Sequence, residues 1–137
     1  MRFWKSGLPI LIKNGSHKMP TLKTWISASR LRTLPLSISG ALVGSSYAYF
    51  LGFFDGLIFT LIILTTLSFQ ILSNLANDYG DGIKGTDNQS RIGPERAIQS
   101  GVVTPKQMRL AVILNALIST GLAVALIWVS FGFEQLI

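Results

Sequence analysis

Three long stretches without a charged residue constrain this chain more than any other feature. They cover residues 34–54, 56–77 and 110–133, which are 21, 22 and 24 residues long. A helix rises about 1.5 Å per residue, so each stretch as a helix would reach about 30 Å, the hydrocarbon thickness of a bilayer. Core helices of soluble domains are seldom apolar all round for that length. The composition agrees: only 13% of residues are charged, and the mean hydropathy is +0.48. The fold class expected is therefore all-α and integral to a membrane, with three transmembrane helices. Asp55 alone separates the first two stretches, so those helices should form an antiparallel hairpin. The absence of cysteine excludes disulfide scaffolds, thiolate metal sites and thiol nucleophiles, and a single histidine excludes a histidine metal cluster.

The charges that remain are unevenly placed. Residues 1–32 carry Arg2, Lys5, Lys13, Lys18, Lys23, Arg30 and Arg32 and no acid, whereas the other 105 residues carry five basic and six acidic side chains. Basic excess can signal nucleic acid. A basic segment immediately ahead of an apolar span is instead what the positive-inside rule describes. The partner expected is a lipid bilayer, with no nucleic acid. The segment between the second and third spans, 78–109, holds Lys84, Arg91, Arg96, Lys106 and Arg109, while the link at Asp55 holds no basic residue. Both signals place the N-terminus and the 78–109 loop on the cytoplasmic side of the inner membrane, with Asp55 outside. Residues 1–24 read as a basic cytoplasmic leader and 25–137 as the membrane domain. Residues 21–33, with Trp25 and Ile26, read as a short amphipathic lead-in at headgroup level. His17, in the leader, reads as a solvated side chain.

The third helix has a marked start. Thr104-Pro105-Lys106-Gln107 fits a capping box with proline at the first helical position. Gly40, Gly44 and Ser45 in the first span, and Ser119 and Gly121 in the third, are small enough to allow close helix approach.

The second span changes character near its end. Gln70, Asn74, Asp78 and Asp81 follow at spacings that share one helix face if the helix continues that far. A carboxylate in the middle of a membrane costs roughly 2.5–3.5 kcal/mol on insertion scales, so such a stripe should face protein or a watery cavity. Gln70 and Asn74 are read as cavity-lining. Asp87 follows, giving three carboxylates within ten residues, and Gly80, Gly82 and Gly85 suggest a flexible, uncrowded chain after Asp78. Carboxylates are hard ligands that suit Mg²⁺, which is usually held by one or two of them together with substrate phosphates. The sharp reading is that Asp78 and Asp81, with Asp87, hold Mg²⁺ bound to a diphosphate. The competing reading is a solvated acidic loop, and on spacing alone the two stand level. An EF-hand is excluded by spacing. Lys84, Arg91 and Arg96 are candidates to pair with phosphate oxygens, arginine in bidentate fashion. For Lys106 and Arg109 a positive-inside flank suffices.

Taken together, Arg32-Thr33-Leu34-Pro35-Leu36, the run from Gln70 to Asp81, Lys84-Gly85-Thr86-Asp87, Arg91-Ile92-Gly93-Pro94 and Gln99-Ser100-Gly101 resemble the 1,4-dihydroxy-2-naphthoate polyprenyltransferases of menaquinone biosynthesis, within the UbiA superfamily. The resemblance runs from about Trp25 to the C-terminus. It implies Mg²⁺-dependent transfer of a polyprenyl group from polyprenyl diphosphate to 1,4-dihydroxy-2-naphthoate, with loss of CO₂, giving demethylmenaquinol. It also implies catalytic roles for Asp78 and Asp81 and diphosphate binding by Asn77. The superfamily pattern often places a third aspartate where Gly85 stands, so Asp87 matches less closely.

The fold implied by the resemblance has about nine transmembrane helices and a second aspartate-rich motif. This chain has three spans and no such second motif; Glu134 falls at the opposite face. It is expected to be the N-terminal third of such a bundle and inactive by itself. Two alternatives accompany this expectation: another aromatic prenyltransferase of the superfamily, and a small non-enzymatic three-helix membrane protein.

Overall fold

A computed structural model describes residues 20–84 and 97–132, and every regular element among them is helical. The lead-in is a short helix, α1 (Leu22–Ala28), followed by a 3₁₀ turn over Leu31–Thr33. The long helices are α2 (Leu34–Phe50), α3 (Gly56–Lys84) and α4 (Pro105–Phe131).

Each helix boundary has a local cause. Pro35 sits in the first turn of α2, where its missing N–H costs nothing. The α2–α3 link turns at Gly52, whose φ of 80° suits a residue without a Cβ. Asp55 then caps α3: its Oδ1 accepts from the N–H groups of Leu57 at 2.7 Å and Ile58 at 2.9 Å. The residue that interrupts the apolar run is thus the one that starts the next helix. The expected capping box opens α4. The Gln107 N–H donates to Thr104 Oγ1 at 3.3 Å, and the Thr104 N–H donates to Gln107 Oε1 at 3.0 Å.

Helices α3 and α4 are each long and apolar enough to cross a membrane, and only 11% and 6% of their most apolar windows are buried within the chain. Leu36, Phe50 and Phe53 are each 81% exposed. In water such faces would be an aggregation hazard; in hydrocarbon they are at no disadvantage. At 17 residues, α2 rises about 25 Å, and its apolar span ends in the turn rather than as helix. Among the described residues two helices therefore meet the length criterion, where three spans were expected.

The buried apolar residues gather at one end. Ala28, Leu75, Ala97, Val103 and Met108 form a core, with Trp25, Ile71, Tyr79 and Ile98 packed against it. It lies where α1, α3, the turn before α4 and the start of α4 meet. Farther along, α3 and α4 are joined by a buried polar contact, with the Ser68 and Ser119 hydroxyls 2.7 Å apart.

The small-residue expectation needs correction. Ser119 is fully buried against α3, as close approach requires. A Cβ on Gly40, Gly44 or Gly121 would meet nothing within 4 Å, so no packing among the described residues needs those glycines. Gly40 and Gly44 instead line an open apolar groove of about 290 Å³ with Ala48, Ile58, Phe59 and Ile62.

Candidate functional site

The polar stripe lies on an unbroken helix. Apolar character ends at Asn77, but α3 runs on to Lys84, through Gly80 and Gly82. The expectation of a flexible chain after Asp78 is overturned at these two glycines: helical hydrogen bonding and packing against the core outweigh the modest preference of glycine against helix. Asp78 and Asp81 consequently stand three residues apart on one helical face, rather than in a loop.

Each member of the stripe has a definite setting. Gln70 is half-buried, and its Oε1 accepts from the Ser37 hydroxyl of α2 at 2.6 Å. Asn74 is 4% exposed. Its Nδ2 donates to the Ser29 carbonyl at 2.9 Å and to Thr33 Oγ1 at 3.2 Å. The Thr33 hydroxyl in turn donates to the Arg30 carbonyl at 2.9 Å. Arg30 sits between these anchors with φ 50° and ψ 58°, a left-handed conformation that costs a non-glycine residue about 1–2 kcal/mol. The stripe thus faces protein, as its polarity requires. Its first two members clasp the strained turn between α1 and α2.

One turn further, Asp78 is 3% exposed, and its Oδ2 accepts from the Ala97 N–H at 3.3 Å. That amide is delivered by the segment entering α4, which folds back over the end of α3 and buries Ala97 and Val103 in the core. Asp81 is half-buried, Asn77 is exposed, and Lys84 is exposed at the last position of α3. Asp87, Arg91 and Arg96 lie outside the described residues, as do most of the leader with His17, and Glu134.

The donor set at this end of α3 is chemically uniform. Among the described residues no three His, Cys, Asp or Glu side chains come together. Asp78 and Asp81, with the amide of Asn77 beside them, offer hard oxygen ligands. Two carboxylates are what a small divalent cation takes from protein when phosphate oxygens and water complete its shell. The donor set therefore fits such a cation.

Sequence reasoning did not find the Ala97 amide, the Ser29 and Thr33 partners of Asn74, or the contact at Gly82. A Cβ on Gly82 would lie 2.7 Å from Ile98 Cγ2 and 3.0 Å from Ile98 Cβ. The available signal was a glycine kept within a helix-spaced stripe, where alanine would be the better helix former.

Comparison with known proteins bears on this arrangement. The model of the UbiA prenyltransferase family matches residues 37–133. The 1,4-dihydroxy-2-naphthoate octaprenyltransferase of Escherichia coli (strain K12) is 44% identical over 96 residues, covering 70% of this chain and 31% of that protein. The enzyme of the same name from Haemophilus influenzae is 43% identical over 100 residues, covering 72% of this chain and 32% of its own length. That from Mycobacterium tuberculosis is 33% identical over 111 residues, covering 80% and 38%. The chain spans about a third of the length of these curated relatives. No solved structure matches.

Proposed function

The chain belongs to the UbiA prenyltransferase family, and from that premise we propose that it forms part of an intramembrane enzyme that transfers a polyprenyl group from polyprenyl diphosphate to 1,4-dihydroxy-2-naphthoate. The observation that carries this reading is the pair Asp78 and Asp81 on one face of α3, at the end of an apolar span, with Asp78 buried and held by a backbone amide. A solvated acidic loop would not bury its first carboxylate. The acceptor is proposed from the names carried by the relatives at 33–44% identity.

In this proposal Asp78 and Asp81 hold Mg²⁺, with Asp87 as a further ligand; when bound, the ion stabilises the negative charge that develops on the departing diphosphate. Asn77 and Lys84 contact the diphosphate at the polar end of α3, together with Arg91 and Arg96. The allylic carbon loses its diphosphate and is attacked by the electron-rich naphthoate ring. The ring carboxyl leaves as CO₂, and its bonding pair restores aromaticity. The apolar faces of the long helices keep water from the allylic cation and let the prenyl tail enter from the bilayer.

The same reading extends to the membrane. We propose that α2 crosses with α3 as a hairpin, so that three helices span, as the first part of a larger bundle of about nine. Lys84, Lys106 and Arg109 lie at the aspartate end of the helices and Asp55 at the other, which supports a cytoplasmic aspartate end in the inner membrane.

The test is a product analysis. The whole enzyme of which this chain is proposed to form part, called full-length protein below, is given in lipid a polyprenyl diphosphate, Mg²⁺ and one aromatic acceptor at a time. The expected outcome is prenylated naphthoquinol lacking the carboxyl group, seen by mass spectrometry, and no product when Mg²⁺ is chelated. Preference for 4-hydroxybenzoate would move the chain to another acceptor branch. Transfer to no aromatic acceptor would overturn the enzymatic reading in favour of a non-enzymatic membrane protein.

A further inference from the structure

We propose that Gly82 is a positioning residue for Asp78, acting through Ile98 and Ala97. This rests on the reading of Asp78 as a cation ligand, and it assigns a task to a residue outside the carboxylate set.

Glycine inside a helix is worse than alanine, both in backbone freedom and in exposed peptide. At Gly80 a Cβ would meet nothing within 4 Å, so nothing among the described residues requires glycine there. At Gly82 a Cβ would lie 2.7 Å from Ile98 Cγ2 and 3.0 Å from both Ile98 Cβ and Cδ1. Ile98 Cβ is one bond from the main chain, and a β-branched side chain has few rotamers with which to retreat. Relief of the contact therefore has to move the backbone at residue 98.

That backbone is tied to the site. Residue 97 precedes it, and the Ala97 N–H donates to Asp78 Oδ2 at 3.3 Å. Ala97 is itself buried, and the turn after it closes through the Val103 N–H, which donates to the Ala97 carbonyl at 3.1 Å. The bare Cα of Gly82 lets Ile98 lie directly on α3. Ile98 seats Ala97, and the Ala97 amide helps to fix the orientation of a carboxylate that, in this reading, meets a cation. A hydrogen bond of this length is sensitive to a displacement of a few tenths of an ångström. The carboxylate of Asp78 is the partner that loses its orientation.

The test compares Gly82→Ala, Ile98→Ala and the double variant in full-length protein in lipid. Two quantities are read: hydrogen exchange of the Ala97 amide, and affinity for Mn²⁺ in the presence of inorganic diphosphate, followed by electron paramagnetic resonance. Gly82→Ala is expected to speed exchange at Ala97 and to weaken Mn²⁺ binding, each by about tenfold, the scale of one lost hydrogen bond to a charged group. Adding Ile98→Ala removes Cγ2 and Cδ1 from the contact and leaves Cβ alone, at 3.0 Å, so it should recover part of both losses. Helix propensity alone predicts the opposite sign for Gly82→Ala, a firmer helix with unchanged binding. Exchange and Mn²⁺ affinity both within twofold of the unchanged protein would overturn the inference, as would losses that Ile98→Ala does not relieve. If the unchanged protein binds no Mn²⁺, the cation reading of Asp78 fails by itself. The exchange data then still decide whether Gly82 seats the Ala97 amide.

Discussion

Asn74 shows how much one side chain does at the polar end of α3. It is buried, and its Nδ2 donates twice to the turn that joins α1 to α2, once to the Ser29 carbonyl beside the left-handed Arg30, while its Oδ1 accepts from Gln70 Nε2 at 3.5 Å. Truncation to alanine removes the amide and leaves that carbonyl without its donor, at a cost of about 1–3 kcal/mol. Asn74→Ala should lower the thermal unfolding midpoint in detergent, and Asn74→Asp, which keeps the shape but not the donor, should lower it as well. A midpoint unchanged in Asn74→Asp would remove the donated bonds from the account. At this scale the sequence was legible in part. The spacing of Gln70, Asn74, Asp78 and Asp81 announced a polar face that had to meet protein, because lipid penalises it. The partners were not legible: Ser29, Thr33 and Ser37 lie 33 to 45 residues away from Gln70 and Asn74, and a hydroxyl or carbonyl carries no sign of what it will bond. Gly82 was hidden for a related reason. A glycine after an aspartate motif looks like freedom in a loop, whereas here it makes room for a neighbour.

Among the elements, α3 and α4 are where local signals and packing agree best. The capping box at Thr104 was readable because it needs only four consecutive residues, and it forms as expected. The end of α3 was less so, since hydropathy stops at Asn77 while the helix stops at Lys84. The last two turns are held by the core around Leu75 and by the segment bearing Ala97, long-range contacts that no local pattern displays. The junction of the two helices rests on small residues: Ser119 is fully buried between α3 and its own turn, its hydroxyl 2.7 Å from that of Ser68 and donating to the Asn115 carbonyl at 2.8 Å. Ser119→Leu would force the pair apart and is expected to destabilise by about 1–3 kcal/mol, the usual cost of overpacking. Gly121→Leu, two residues on, should be tolerated, because a Cβ there meets nothing. Reversible unfolding of both variants in mixed micelles checks the pair. Equal losses would mean that the α3–α4 junction is not where the structure puts it. Small residues in a span suggested close approach at five positions, and the structure requires it among these helices at Ser119, since neighbours rather than composition decide which small residue is at a seam.

At the scale of the molecule, apolar length and charge placement pointed to a bilayer before any contact was known. The matched family and the exposed faces of α3 and α4 agree with that reading. The helices carry little packed core except at the aspartate end, where α1, α3 and the entry to α4 converge on Asp78. This concentration of order suits a site that must hold charge still next to an apolar medium. We propose Asp78 as part of a cation and diphosphate site, and the molecule supplies its own control. Asp55 occupies the opposite end of α3, and as an N-cap it exchanges with asparagine at little cost. The deciding measurement is the rate of Mg²⁺-dependent prenyl transfer to 1,4-dihydroxy-2-naphthoate by full-length Asp78→Asn and Asp55→Asn proteins in lipid, per folded molecule. A loss of about 100-fold or more is expected for Asp78→Asn, in keeping with several kcal/mol of metal-borne charge stabilisation, and little change for Asp55→Asn. Transfer by Asp78→Asn within a few-fold of the unchanged protein would contradict it.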